Sequence, residues 1–235
     1  MKLATLREGL ASNRRASAVL GLLLATVGMD PGTGNLRLGT RRDPRWIKIK
    51  RPFVVVGGEL THHPLVRKIT FTGSTAVGRL LLKQASEHIQ KCSMELGGNA
   101  PLIVFEDADL DAAVTGAIAC KFRNSGQVCV SVNRFLVHES VMAAFAEKLT
   151  AKVATLPVGY GFDKDVQVGP LIDLAGLEKV EALVADAVAK GATVVCGGQR
   201  DPRGGLYYQP TVIKGVREDM RMMHEEIFGP VAPLF

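Results

Sequence analysis

Lys68-Ile69-Thr70-Phe71-Thr72-Gly73-Ser74-Thr75-Ala76-Val77-Gly78 is the stretch that decides the fold class. A β-branched and aromatic run from Lys68 to Thr72 reads as a strand and is stopped by Gly73. A helix from Ala76 to Gln90 follows, with Val77, Leu80, Leu81 and Ala85 on one face. A strand that turns straight into a helix is the repeating unit of α/β proteins. The junction also has chemistry: unpaired N–H groups and the helix dipole at a helix start suit an anionic phosphate. Gly73 permits close backbone approach, Ser74 and Thr75 add hydroxyls, and Gly78 completes a GxxxxG spacing unlike the GxGxxG of ordinary dinucleotide-binding folds. Taken alone, such a turn is more often a capped helix than a binding site.

The same alternation runs outward in both directions. Val54-Val55-Val56, ended by Gly57-Gly58, reads as a short buried strand, and Ser93–Leu96 and Leu102–Phe105 as two more. Asp109 can cap a helix through Ala119, with Asp111 in its first turn. Arg134–His138 reads as a strand, Ser140–Ala154 as a helix, Leu177–Lys190 as a helix closed by Gly191, and Thr193–Val195 as a strand. The order predicts a mainly parallel sheet. Val231-Ala232-Pro233-Leu234-Phe235 reads as an interrupted element.

Composition places the charge. The net charge is +6, yet residues 1–51 hold 11 Lys/Arg against 3 Asp/Glu, which leaves 18 basic and 20 acidic residues for the remainder. The basicity therefore belongs to an N-terminal segment, and no basic helix with interleaved aromatics follows, which argues against nucleic acid as a partner. Residues 1–29 read as a partly apolar helical leader, with a secretory or organellar targeting role weighed against an ordinary helix. Residues 30–52, rich in Gly, Pro and Arg, read as poorly ordered. No apolar run reaches membrane-spanning length. Cys92, Cys120, Cys129 and Cys196 have neither CxxC nor CxxH spacing, which fits a reducing compartment and neither a zinc site nor a disulfide framework. A cytoplasmic location is expected, with a mitochondrial one as the alternative.

Two further stretches carry chemistry. Glu95, in Met94-Glu95-Leu96-Gly97-Gly98-Asn99, stands where a buried strand end is expected, and burial would raise its carboxyl pKa toward that of a general base. Cys129, in Asn124-Ser125-Gly126-Gln127-Val128-Cys129, follows a tight Gly-Gln segment that can present it to a cleft. A thiol with an ordinary pKa of about 8.5 needs a base or oriented dipoles to become a nucleophile. For an arbitrary Cys and Glu, a buried thiol and a paired carboxylate are the better readings.

The conjunction reverses that weighting. From about Gly57 to Phe235 the chain resembles the aldehyde dehydrogenase superfamily. Phe71–Gly78 is similar to its cofactor turn, Met94–Gly98 to its glutamate motif, Gly126–Cys129 to its cysteine motif, and Glu226-Ile227-Phe228-Gly229-Pro230-Val231 to its nicotinamide-contact motif. Asn99-Ala100-Pro101 after the glycines, and Lys121-Phe122-Arg123-Asn124 before the nucleophile, are similar to the succinate-semialdehyde type. The resemblance implies NAD or NADP as cofactor, held through Gly73, Ser74, Thr75, Gly78, Glu226 and Phe228. It also implies that Cys129 attacks the aldehyde, that Glu95 activates the water that hydrolyses the thioester, and that Arg123 grips a carboxylate on a semialdehyde substrate. A guanidinium fork suits that role, with an ordinary surface ion pair as the alternative reading of Arg123. The subfamily's second cysteine corresponds here to Ser131, so that redox pairing is not expected.

The implied organisation is a basic, non-matching segment at 1–52, the C-terminal part of a dinucleotide-binding domain at 53–96, and a catalytic thiol domain at 97–235. On this reading the first strands of the dinucleotide domain, an upstream oxyanion asparagine and the oligomerisation strands lie outside the sequence. A homo-oligomer of family type would lack its oligomerisation segment. An inactive remnant serving as a structural or interaction module, and a basic nucleic-acid or membrane-surface module in residues 1–51, are the competing readings.

Overall fold

A computed structural model describes the backbone of residues 28–29, 36–40, 43–46 and 52–235, with side chains from residue 57 onward. The expectations for residues 1–29 as a helical leader, and for a basic module in residues 1–51, lie outside the described residues apart from three short strands. Two compact units are present, with the boundary between Leu96 and Gly97.

In the first unit, β1 (Gly28–Met29), β2 (Leu36–Thr40) and β3 (Asp43–Trp46) form an antiparallel sheet in the order β1-β2-β3. This corrects the poorly ordered reading of 30–52 for those residues: the Leu36-Arg37-Leu38 alternation is a strand pattern that the surrounding Gly, Pro and Arg obscured. A second correction falls on Val54–Val56, which lie in a helix, α1 (Pro52–His62), not a strand. Pro52, first in that helix, is a start signal that the β-branched run concealed. Thr61, fully buried, ties α1 down by donating to the Gly57 carbonyl (2.9 Å) or to Gln84 Oε1 (3.1 Å) of the next helix.

β4 (Lys68–Gly73), α2 (Thr75–Ala85), a 3₁₀ turn at Ser86–His88 and β5 (Lys91–Leu96) complete this unit. β4 and β5 pair in parallel from Lys68↔Lys91 to Gly73↔Leu96. Only one face of β5 is covered: Cys92, Met94 and Leu96 are half-buried, and Lys91, Ser93 and Glu95 are exposed.

The second unit is built on a five-stranded sheet, order β6-β7-β10-β9-β8, comprising β6 (Ala100–Val104), β7 (Val132–Val137), β8 (Thr193–Cys196), β9 (Thr211–Lys214) and β10 (Val231–Leu234). Only the β8–β9 pair is antiparallel. The helices are α3 (Leu110–Lys121), α4 (Glu139–Val153), α5 (Leu174–Ala189) and the short α6 (Arg221–His224). Alternation along β9 and β10 makes two cores. Val212, Ala232 and Leu234 join Val114, Ala117, Phe145 and Leu149 of α3 and α4, whereas Ile213 and Val231 join Leu177, Val180 and Leu183 of α5. Each buried Val, Leu, Ile or Phe among them contributes about 1.5–3 kcal/mol.

β10 is buried along its whole length and carries a proline in the middle of a sheet, where the missing N–H normally breaks a ladder. The register resolves this. Ala232 and Leu234 face β9, and the Leu234 carbonyl accepts from Val216 N–H (3.2 Å). The opposite side of β10 meets β7 only from Leu234 onward, where Phe235 N–H donates to the Phe135 carbonyl (2.8 Å). Pro233 thus precedes the point at which its side of the strand needs a donor. Among the described residues no helix is long and apolar enough to cross a membrane.

Candidate active site

In the first unit the β4–α2 turn is a capped helix start. Ser74 Oγ accepts from Val77 N–H (3.4 Å), and Gly78 N–H donates to the Ser74 carbonyl (3.0 Å). Gly73, Ser74 and Thr75 are exposed at this turn, while Gly78 is buried, and a Cβ on it would lie 2.5 Å from Leu96 Cδ2. Gly78 therefore lets α2 pack closely on β5. Glu95, paired with Thr72 in the ladder, is exposed on the uncovered face of β5. The burial expected at this strand end is not found for Glu95, because the two-stranded sheet of its own unit shields the side that bears Met94.

The second unit builds an unusual turn before the thiol. After α3, Arg123–Gly126 form a 3₁₀ turn in which Asn124 (φ 51°), Ser125 (φ 58°) and Gly126 (φ 74°) are successive left-handed residues. Two of them carry side chains that pay for this conformation, so the surroundings must hold it. Ser125 Oγ donates to the Gly169 carbonyl (2.9 Å). Gln127 takes Ile172 N–H on Oε1 (2.8 Å) and donates from Nε2 to the carbonyls of Asn124 (3.2 Å) and Pro170 (3.3 Å). A Cβ on Gly126 would run into the Gly229 carbonyl and lie 3.1 Å from the Lys121 carbonyl. The cysteine motif and the Glu226–Val231 motif are thus packed backbone to backbone. Cys129 follows in a turn closed by Ser131 N–H to the Val128 carbonyl (2.9 Å), and it is exposed. Arg123 is also exposed and has no ion-pair partner among the described residues.

The downstream motif contributes a carboxylate and a ring. A Cβ on Gly97 would lie 2.5 Å from Glu226 Oε2, so Glu226 rests directly on the glycine backbone. Glu226 Oε1 is buried without a hydrogen-bond partner. An orphaned buried acceptor beside a glycine cradle fits the hydroxyl of a sugar. Phe228, at φ 54°, is held with its ring partly exposed (37%).

Sequence reasoning missed Lys121 as a site residue. It is fully buried, donates from Nζ to Asn133 Oδ1 (3.1 Å), and has its pKa pushed down to about 7 by burial, against the opposing pull of Glu226. A signal existed: Lys121 follows Ala117 by one helical turn and Val114 by two, on one face where both are at 0% exposure. The Gln127 clamp had no such signal, because two of its partners, Pro170 and Ile172, lie more than forty residues away. No group of three or more His, Cys, Asp or Glu suited to a metal ion occurs among the described residues.

A family model described as the aldehyde dehydrogenase family matches residues 52–235. The succinate-semialdehyde dehydrogenase (NADP(+)) of Escherichia coli is 56% identical over 180 residues, 77% of this chain and 37% of that protein. The glutarate-semialdehyde dehydrogenase of Pseudomonas aeruginosa is 53% identical over the same number of residues, again 77% of this chain and 37% of that one. The crystal structure of a succinate-semialdehyde dehydrogenase from Burkholderia pseudomallei superposes with a TM-score of 0.77 at 55% identity, covering 81% of this chain and 39% of that one. The chain thus spans 37% of the length of these two curated relatives. A match over nearly the whole described chain, in sequence and in fold, gives the assignment: the chain belongs to the aldehyde dehydrogenase family.

Proposed function

We propose that this chain carries the thiol chemistry of an NAD- or NADP-dependent oxidation of a carboxylate-bearing aldehyde, most simply succinate semialdehyde to succinate. The observation that carries the reading is the left-handed Asn124–Gly126 turn, locked on Gly229, that presents an exposed Cys129. Cys129 Sγ, as thiolate, attacks the aldehyde carbon, and its backbone N–H faces the oxyanion of the thiohemiacetal. A nicotinamide cofactor, when bound, would supply the hydride acceptor by which this adduct is oxidised to a thioester. Glu95 takes a proton from the water that cleaves the thioester, releasing the carboxylate and restoring the thiol. Gly73, Ser74 and Thr75 bind a cofactor phosphate at the start of α2, with Gly78 keeping that helix close to its sheet. Glu226 would hold the cofactor through a ribose hydroxyl, and Phe228 would offer a ring to the nicotinamide. Residues 53–96 serve as the C-terminal part of the cofactor-binding domain and 97–235 as the thiol domain.

Cys120 provides an internal control, being exposed as well but on α3. With limiting iodoacetamide at pH 7, Cys129 should be alkylated about tenfold faster than Cys120, because a nucleophile motif presents it and a plain helix face presents Cys120. Peptide mapping reads both rates, and equal labelling would remove the nucleophile assignment.

Arg123 gives the substrate test, supported by its exposure and by the semialdehyde dehydrogenases among the relatives. Succinate semialdehyde should slow alkylation of Cys129, and Arg123→Ala should weaken that protection about tenfold or more, as expected for a charged hydrogen bond of ~1.5–3 kcal/mol. Butanal should protect both proteins alike. An identical loss with butanal would assign Arg123 to the loop's structure.

A further inference from the structure

We infer that Lys121 is a positioning residue for Glu226, a buried cation that fixes the carboxylate resting on Gly97; its service to a cofactor rests on the proposed role of Glu226. Lys121 ends α3 with no exposed surface, so its ammonium cannot be solvated. It has three donors, and among the described residues one is spent, on Asn133 Oδ1 at 3.1 Å. Asn133, itself 1% exposed, turns its other end to the Gly98 carbonyl (3.4 Å). The Lys121 backbone is anchored as well, its carbonyl accepting from Ser131 Oγ (3.4 Å). Lys121, Asn133 and the Gly97-Gly98 backbone on which Glu226 sits are therefore one connected cluster inside the second unit.

Within this cluster the needs are complementary. Glu226 Oε1 is buried without a partner, and the ammonium has donors to spare. A buried charge that lacks a counter-charge is expensive, so each of these groups lowers the cost of the other. Glu226 is the charged group that pulls against the burial of Lys121. Charged neighbours on the adjoining elements are engaged elsewhere or stand in solvent. Asp111 of α3 pairs with Lys148 of α4 (2.7 Å), Lys152 of α4 reaches Thr115 (3.3 Å), and Arg134 of β7 donates to the Asn99 carbonyl (2.8 Å). Arg221 and Glu225 of the α6 segment pair with each other (2.7 Å), and Asp109 and Arg123 are exposed. Lys121 touches neither substrate nor reacting atoms; it acts through the carboxylate.

The test is a double-mutant cycle on the chain itself, with Lys121→Met and Glu226→Gln, read as the unfolding equilibrium constant from denaturant melts at pH 6 and pH 10.5. At pH 6 the two effects should fail to add by about tenfold, whereas at pH 10.5, with the amine uncharged, they should add to within about twofold. Lys121→Arg, which keeps the charge, should restore the coupling at pH 6. If Lys121→Met does not fold, Glu226→Gln alone decides: it should cost about tenfold more at pH 6 than at pH 10.5. Additive effects at both pH values, or an equal cost of Glu226→Gln at both, would overturn the inference. NADP(+) titration of the unaltered chain, followed by thermal melts, separates the two claims. No NADP(+)-dependent shift would count against the role of Glu226 toward a cofactor while leaving the Lys121–Glu226 coupling to stand or fall on the cycle.

Discussion

Gly126→Ala is expected to abolish stable folding of the second unit. Two costs coincide at this position. The backbone stands at φ 74°, a region that penalises any residue with a Cβ, and the added methyl would collide with the Gly229 carbonyl. The collision is with backbone, so no side chain can rotate out of the way. Gly229 in turn is fixed, since a Cβ there would strike Val180 of α5. The expected loss is about 4 kcal/mol or more, from strain at a special backbone conformation together with overpacking. For a domain of ordinary stability, 5–15 kcal/mol, that is a large fraction of the whole. Circular dichroism melts give the measure: a variant melting within about 3 °C of the parent would mean that the turn yields cheaply.

The second large effect is a pH dependence that Lys121 alone confers. In the unfolded chain this amine titrates near 10.5, whereas in the fold burial pushes it down to about 7. Between those values the unfolded state binds a proton that the folded state does not, so stability rises with pH across that window. Below about 7 both states are protonated and the full cost of burying the charge applies; above 10.5 neither is, and the cost is gone. At roughly 1.4 kcal/mol per pH unit, the span amounts to ~5 kcal/mol. The stability difference between the parent chain and Lys121→Met should therefore shift in the parent's favour by several kcal/mol between pH 6.5 and 10.5. Denaturant midpoints for the two proteins across that range test it. Parallel pH profiles would mean that the amine keeps its ordinary pKa.

Much of this architecture was legible because local pattern and tertiary role agreed. Lys68–Thr72, Leu102–Val104 and Thr193–Val195 alternate or run apolar as strands should, and Asp109 caps its helix through the N–H groups of Asp111 and Ala112. Where they disagreed, the pattern misled. Val54–Val56 are β-branched yet helical, because a helix that starts at Pro52 and docks through Thr61 outweighs intrinsic preference. Thr211–Lys214 is a buried strand that a four-residue run among prolines and glycines did not announce. The thiol, the carboxylates and Arg123 could be named from motifs, but their settings could not. Glu95 is exposed because, among the described residues of its own unit, β4 and α2 cover only the other face of β5, a fact about sheet size and not about local sequence. Lys121 was hidden for the converse reason, since a lysine at a helix C-terminus ordinarily complements the dipole from solvent.

The place of β10 at the middle of its sheet has a consequence for how the polypeptide acquires its form as it is synthesised. Strand order in space is β6-β7-β10-β9-β8, so the central strand is the last of the five to emerge. Until Val231–Leu234 are made, β6–β7 and β8–β9 can exist only as two separate ribbons, each with an open inner edge. Closing the gap joins Leu234 to Phe135 across about a hundred residues, the kind of long-range pairing that slows folding. During that interval the inner edges of β7 and β9 are unpaired and flanked by apolar residues such as Phe135 and Val212, a template for association between nascent chains. Pro233 bears on that hazard: a strand with a proline at its centre is a poor partner for edge-to-edge stacking, so the segment made last, which must find the gap between β7 and β9, is itself ill suited to propagate an aggregate.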